Sequence, residues 1–366
     1  SIRLISVVSL VQIQAPPPCF YTPHLFQEGV FTKNLMKRKS KRVDPCFLPR
    51  SFLKNRHLQS MMASSRFLLP PHRVLLDHSK KLIINTSQGS KLLAHISLHT
   101  ASRGLIIILH GWEGSSSSAY VLAAAAFFFE KGFSIARLNL RDHGESHHLN
   151  EGLFHGALLE ETFSAVNTLA IHEENRPVYL LGFSMGANFS LRIAINHSRT
   201  PIRNLRHVFA VSPPLDPYKT TLAIDQGPGI YRKYFLKKWK RSLRQKQRLF
   251  PSKYNFTKML NAKTCMELTE NIMIYFPEFT SYRDYFKLYT LTDQSFQNLN
   301  IPVNIFISAD DPVIPQDDYE LLHESGFLKI AREKYGGHCG FIDLFPYKRW
   351  YNEIISDLVT QGNPCS

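Results

Sequence analysis

Val178-Tyr179-Leu180-Leu181-Gly182-Phe183-Ser184-Met185-Gly186 joins an apolar run to a helix-like one through a G-x-S-x-G turn. Val178 to Leu181 read as a buried strand, and the residues after Met185 as a helix. Two glycines around a serine permit a tight strand-to-helix turn that lifts the serine above a sheet in a strained backbone conformation. The same turn sets Ser184 at a helix N-terminus, where free N–H groups favour developing negative charge. The bare pattern also fits a turn serine that caps a helix; its flanks favour a nucleophile.

Outward from this turn the chain alternates strands and helices. Strands are expected over 82–85, 91–98, 104–109, 133–140, 177–181 and 207–211, with helices over 118–130, 158–172 and 185–196. Such alternation implies an α/β fold with a mostly parallel central sheet and helices on both faces. Residues 216–300 break the pattern with a basic, aromatic, mainly helical segment, after which strands over 303–308 and 327–335 and a helix over 346–360 resume it. The chain therefore divides into an N-terminal extension, partly irregular (1–72), a first part of the core (73–215), a helical basic cap (216–300) and a second part of the core (301–366).

A serine hydroxyl needs a base to take its proton, and the base needs an orienting acid. Asp310-Asp311-Pro312 follows the strand at 303–308, and His338 lies in Gly336-Gly337-His338-Cys339-Gly340 after the last strand. The order Ser, Asp, His is the one this kind of sheet imposes. Asp310 and Asp311 are both candidates for the acid, as is Asp216, which follows the strand ending near Val211. An attacked carbonyl also needs two donors for its oxyanion, and losing one typically slows catalysis about a hundredfold to a thousandfold. The N–H of Met185 is one candidate. The N–H of Trp112, in His110-Gly111-Trp112-Glu113-Gly114 after the strand at 104–109, is the other. Trp112, Tyr120, Phe183 and Tyr285 are candidate pocket walls. His143, His147 and His148 match no standard zinc spacing and read as a structural or solvated loop, while Cys339 reads as packing.

Composition bounds the remaining possibilities. The 366 residues are 44% hydrophobic and 20% charged, a globular balance able to bury a large core. Lys and Arg number 44 against 29 Asp and Glu, a formal +15, so an acidic partner has to be considered. The excess concentrates at 37–42 and at 232–248, where Tyr231, Phe235 and Trp239 recur at a spacing of four and predict an amphipathic helix. Its aromatic stripe is expected to pack on the sheet. Contact with an anionic membrane surface is the second expectation for this segment, and nucleic acid is not expected. Cys19, Cys46, Cys265, Cys339 and Cys365 are too scattered for a disulfide framework and suggest a reducing, cytoplasmic setting. No stretch approaches the roughly 18 apolar residues of a membrane span. The apolar run at 4–13 only faintly resembles a signal peptide, and Met36 is a candidate natural start.

With strand, turn serine, acid and histidine in order, the chain resembles the α/β-hydrolase superfamily from about residue 75 onward. Within it, the likeness is to the YheT-like, abhydrolase-domain group, which includes lipases and ester synthases. The similar stretches are Asn55-Arg56-His57-Leu58-Gln59-Ser60, His110 to Ser115 with Tyr120, Asp284-Tyr285-Phe286, Ala309-Asp310-Asp311-Pro312, and Gly336 to Phe341. The chain departs from the group at Asn139 to Ser146, nearer the generic superfamily turn, and within the cap, which matches only at its ends. The resemblance implies Asp311 as the acid. It also implies a serine hydrolase of carboxylic esters that needs neither metal nor organic cofactor; an acyltransferase using the same three residues is the alternative, and a non-enzymatic surface-binding protein a third.

Overall fold

A computed structural model of the protein describes residues 46–173 and 175–361. The apolar run at 4–13, Met36, the basic arm at 37–42, Cys19 and Cys365 lie outside the described residues.

The chain enters through two short helices, α1 (Arg56–Ser64) and α2 (Arg73–Asp77), and then forms β1 (Ser79–Asn85), β2 (Lys91–Ser97) and β3 (Leu105–Leu109). Helix α3 (Ala119–Glu130), β4 (Ser134–Asn139), α4 (Leu159–Ile171), β5 (Val178–Phe183), α5 (Met185–His197) and β6 (Leu205–Val211) follow. Residues 46–72, assigned on sequence to the extension, fold onto the core: the Phe47 N–H donates to Glu333 at 2.7 Å, and Leu53 and Met62 pack with Ile342.

Eight strands make one sheet in the order β1-β2-β4-β3-β5-β6, continuing through β7 (Val303–Ser308) and β8 (Leu328–Glu333). Pairings of β1 with β2 and of β2 with β4 are antiparallel; the rest are parallel. Strands β3 and β5, at the centre, are apolar along their length because both faces are covered. In β3, Leu105, Ile107 and Leu109 pack with Val166 of α4 and Phe189 of α5, whereas Ile106 and Ile108 pack with Ala125 and Phe128 of α3. Strand β3 has β4 on one side and β5 on the other, so the loops leaving β3 and β5 part at their C-terminal ends. A crevice at such a reversal of strand order is where open α/β sheets bind ligands.

Five α-helices fill the connection from β6 to β7: α6 (Pro217–Gln226), α7 (Gly229–Leu249), α8 (Thr257–Asn261), α9 (Cys265–Ile272) and α10 (Tyr282–Lys287). After β7 come α11 (Asp317–Glu320), β8, a ribbon of β9 (Ile342–Asp343) and β10 (Lys348–Arg349), and α12 (Trp350–Gln361). The closing helix thus begins at Trp350, later than the 346 expected from sequence, because Lys348 and Arg349 pair with β9 instead. Among the described residues no helix is long and apolar enough to cross a membrane.

Helix α7 is fastened to the core by one of its own cations. Lys246 is 1% exposed. Its ammonium donates to Asp142 Oδ1 at 2.7 Å and to the carbonyls of Asn150 (2.6 Å), Gly152 (3.1 Å) and His147 (3.3 Å), all in the loop after β4. Burial pushes the Asp142 carboxyl up and the Lys246 ammonium down, each held charged by the other. Lys246→Met would leave Asp142 buried without its cation, and is expected to cost about 3–5 kcal/mol in chemical denaturation; an unchanged midpoint would show that the pair does not fasten the cap.

Candidate active site

Ser184 stands alone between β5 and α5, with φ +52° and ψ −121°. Its N–H donates to Val211 O at 2.8 Å, and its carbonyl accepts from Ala187 at 2.8 Å and Asn188 at 3.1 Å. The left-handed backbone falls on the serine itself, and the glycines serve close approach. A Cβ on Gly182 would lie 2.3 Å from Gly186 O, and one on Gly186 would lie 2.4 Å from His110 O and 2.5 Å from Leu109 O. Strain of about 1–3 kcal/mol at such a serine persists only because these contacts over-determine the turn.

Two distant loops meet Ser184. His338 Nε2 is 3.0 Å from Ser184 Oγ, and His338 Nδ1 is 2.9 Å from Asp311 Oδ2. The carboxylate can only accept there, so Nδ1 carries the proton and Nε2 accepts from the serine hydroxyl. Asp311 Oδ1 accepts from Val313 N (2.8 Å) and Ile314 N (3.0 Å), which fixes the carboxylate. Burial opposes charge on His338, but the Asp311 carboxylate and the Cys339 side chain outweigh it and hold the ring well above its usual value of 6.5. The other acids have structural partners: Asp310 accepts from Gly337 N at 2.9 Å, and Asp216 caps α6 by accepting from Lys219 N at 3.0 Å. Cys339 is buried, with its thiol 3.8 Å from Val211 O.

The loop after β3 crosses the serine so closely that a Cβ on Gly111 would meet Ser184 Cβ at 3.0 Å. Neither the Trp112 N–H nor the Met185 N–H has an acceptor among the described residues. The loop is held from two sides: Glu113 N donates to His143 Nε2 at 3.1 Å, and Lys238 of α7 donates to Glu113 O at 3.1 Å. The Trp112 ring stacks on Phe235 at 5.1 Å and meets Trp239 edge-on at 5.0 Å. An arrangement of hydroxyl, oriented imidazole and free N–H groups can pass a proton from oxygen to nitrogen and hold an oxyanion. Among the described residues no three His, Cys, Asp or Glu side chains converge as a metal site.

Two cavities open at Ser184. The first runs under the cap and is walled by Trp112, Met185, Phe235, Trp239, Phe276 and Tyr285. The second lies between α1 and the start of α7, and is walled by His57, Met61, Tyr120, Tyr231 and His338, with Trp112 shared. Phe183, expected in a pocket wall, is in neither. Alternation along β5 turns it with Tyr179 and Leu181 to the other face of the sheet, where it is fully buried against Tyr120 and Tyr351.

The stretch Asn55 to Ser60 has a structural task that its local sequence does not show. Asn55 caps α1 by accepting from His57 N and Leu58 N. Gln59 then donates to Leu53 O and Ile342 O, both at 2.9 Å, and accepts from Ile342 N at 2.9 Å, while Ser60 Oγ accepts from His338 N at 2.8 Å. These bonds brace the loop that carries His338. A Gln59→Leu variant strands three buried backbone groups and is expected to lose about 1–3 kcal/mol or more of stability, together with activity; retention of both would refute the brace.

Known proteins resemble this chain at several levels. Residues 100–332 match the family model described as serine aminopeptidase, S33. Monoacylglycerol lipase of Saccharomyces cerevisiae is 24% identical over 266 residues, 69% of this chain and 58% of that protein. Protein ABHD15 of Homo sapiens is 37% identical over 59 residues, 15% of this chain and 13% of that protein. The alignments thus span less than two thirds of either relative. The esterase Pf2001 of Pyrococcus furiosus superposes with a TM-score of 0.53 at 17% identity, covering 80% of this chain and 97% of that one, a likeness of fold. The narrower YheT-like likeness rests on the motifs quoted above. With the sheet order, the strained turn and a family match over most of its length, the chain is an α/β hydrolase and belongs to the serine aminopeptidase S33 family.

Proposed function

We propose that the protein is a serine hydrolase of carboxylic esters with apolar acyl groups, working through an acyl-enzyme on Ser184. The observation that carries this reading is the Ser184–His338–Asp311 hydrogen-bonded chain opening onto two largely apolar cavities. Ser184 Oγ attacks the acyl carbonyl as His338 Nε2 takes its proton, and Asp311 stabilises the imidazolium. The N–H groups of Trp112 and Met185 receive the oxyanion. His338 then returns the proton to the departing alcohol, and water repeats the sequence to free the acid.

The alcohol must leave beside His338, so the cavity that contains His338 suits the alcohol and the cavity under the cap suits the acyl chain. An aminopeptidase would have to accept a free ammonium group, yet no Asp or Glu is among the lining residues of either cavity. That favours an ester, in keeping with the lipase and esterase among the similar proteins. Separate acyl and alcohol cavities also suit a second reading, transfer of the acyl group to an added alcohol in place of water; transfer products dominating over free acid in the presence of glycerol or ethanol would select it.

On nitrophenyl esters of increasing acyl length, Ser184→Ala is expected to lose at least about a thousandfold in kcat, and a fluorophosphonate probe should label the wild type at Ser184 alone. An active Ser184→Ala protein would overturn the nucleophile. His338 must be neutral to act as base and its pKa is raised, so kcat/KM should rise with pH through a midpoint above 6.5. Asp311→Asn removes the charge that raises it: the midpoint should move down and kcat fall about ten-thousandfold. A midpoint that ignores this substitution would show that another group governs the acid limb.

A further inference from the structure

Helix α7 has two faces with different work. Phe235, Leu236 and Leu243 are buried, Trp239 is half-buried over Trp112, and Lys246 is anchored in the core. Three further cations are used close by: Arg232 donates to Asp225 O (2.8 Å), Lys238 to Glu113 O (3.1 Å) and Lys240 to Ala262 O (2.6 Å). The opposite face carries Ile230, Lys233, Tyr234, Lys237, Arg241, Arg244 and Arg248, all exposed. Their spacing of three and four sets them in one stripe about 27 Å long. None of its five cations has a carboxylate within ion-pair distance among the described residues, and the helix contains no Asp or Glu.

One end of the stripe is apolar and opens onto the site. Ile230 (58% exposed) and Tyr234 (41%) line the second cavity, as does Met61 of α1 (53%), and that cavity reaches Ser184 and His338. Arg66 shares a surface depression with Tyr234 and Arg241, so the turn bearing the fully exposed Phe67 adjoins α7. A cationic stripe that ends in protruding apolar side chains around an apolar opening matches the two layers of a membrane surface. The charges meet anionic headgroups, and the apolar tips enter the boundary with the acyl chains. A polynucleotide would leave Ile230, Met61 and Phe67 without apolar contact.

We propose that the outer face of α7 docks the protein on an anionic lipid bilayer, with the cavity between α1 and α7 turned toward the membrane as the entry for ester. The docking stands on the surface alone; the entry rests on the esterase reading.

Full-length Ser184→Ala protein, which needs no activity for this test, is co-sedimented with vesicles of phosphatidylcholine alone and with 30% phosphatidylglycerol. Binding is expected only to the anionic vesicles and should weaken with salt. A Lys237→Ala/Arg244→Ala/Arg248→Ala variant, altered away from both cavities, should bind about a hundredfold more weakly, from about fivefold per charge, or about 1 kcal/mol. In the wild-type background it should hydrolyse a soluble nitrophenyl ester at the normal rate but lose activity on a vesicle-borne ester. If the alanine variant melts early, Lys237→Arg/Arg244→Lys/Arg248→Lys must restore binding. Absence of retention on anionic vesicles, wild-type binding by the alanine variant, or tighter binding to duplex DNA than to vesicles would overturn the docking. Vesicle binding by a wild-type protein that no fluorophosphonate labels would overturn the esterase reading and leave the docking intact.

Discussion

The crowded crossing of backbone at Gly182, Gly186 and the end of β3 is the constraint on which the site depends. Gly186 sits so near Leu109 O and His110 O that no side chain fits between them. That contact locks α5 against β3, and with α5 locked Ser184 has no relaxed conformation available; it is held at positive φ with its hydroxyl clear of the sheet. The same crossing puts the His110–Gly114 loop beside the serine, so the Ser184 hydroxyl and the N–H groups of Trp112 and Met185 are positioned by one packing event.

Around that fixed point the remaining groups arrive from far along the sequence. Asp311 and His338 come from the ends of β7 and β8, and α1 reaches in with Gln59 and Ser60 to brace the histidine loop. Ser60 and His338 are 278 residues apart. The cap closes the arrangement from the other side, since Lys238 holds the Glu113 carbonyl while Phe235 and Trp239 enclose the Trp112 ring. The Trp112 loop, the apolar cavity wall and the cap helix are therefore joined, and the buried Lys246–Asp142 pair keeps them against the core.

The charge that marks the chain as basic is not a uniform coating. On α7 some cations satisfy carbonyls and a buried carboxylate, and others face outward with no carboxylate within ion-pair distance among the described residues. Sequence alone shows nine cations on this helix and assigns none of them a direction. Helical periodicity separates the faces, but only the position of the cap on the sheet tells which cation lands beside a carbonyl.

What the amino-acid order determines by itself is local. Glycine spacing around Ser184, unbroken apolar runs in the central strands and the histidine between glycines are signals of short range, because turns, buried strands and helices are set by neighbours. They suffice for the α/β class, for Ser184 and His338, and for the loop that bears Trp112. Local pattern leaves Asp310 and Asp311 both open and resemblance favours Asp311; the folded chain separates them because their side chains diverge, one to the imidazole and one to the Gly337 N–H. Two things were decided only by tertiary structure. Phe183 leaves the pocket because strand alternation turns it to the far face. Gln59 and Lys246 find buried partners across hundreds of residues or across the cap. Each of these is a question of which groups meet after folding, and a polar side chain's partner depends on packing between distant segments that no local pattern encodes.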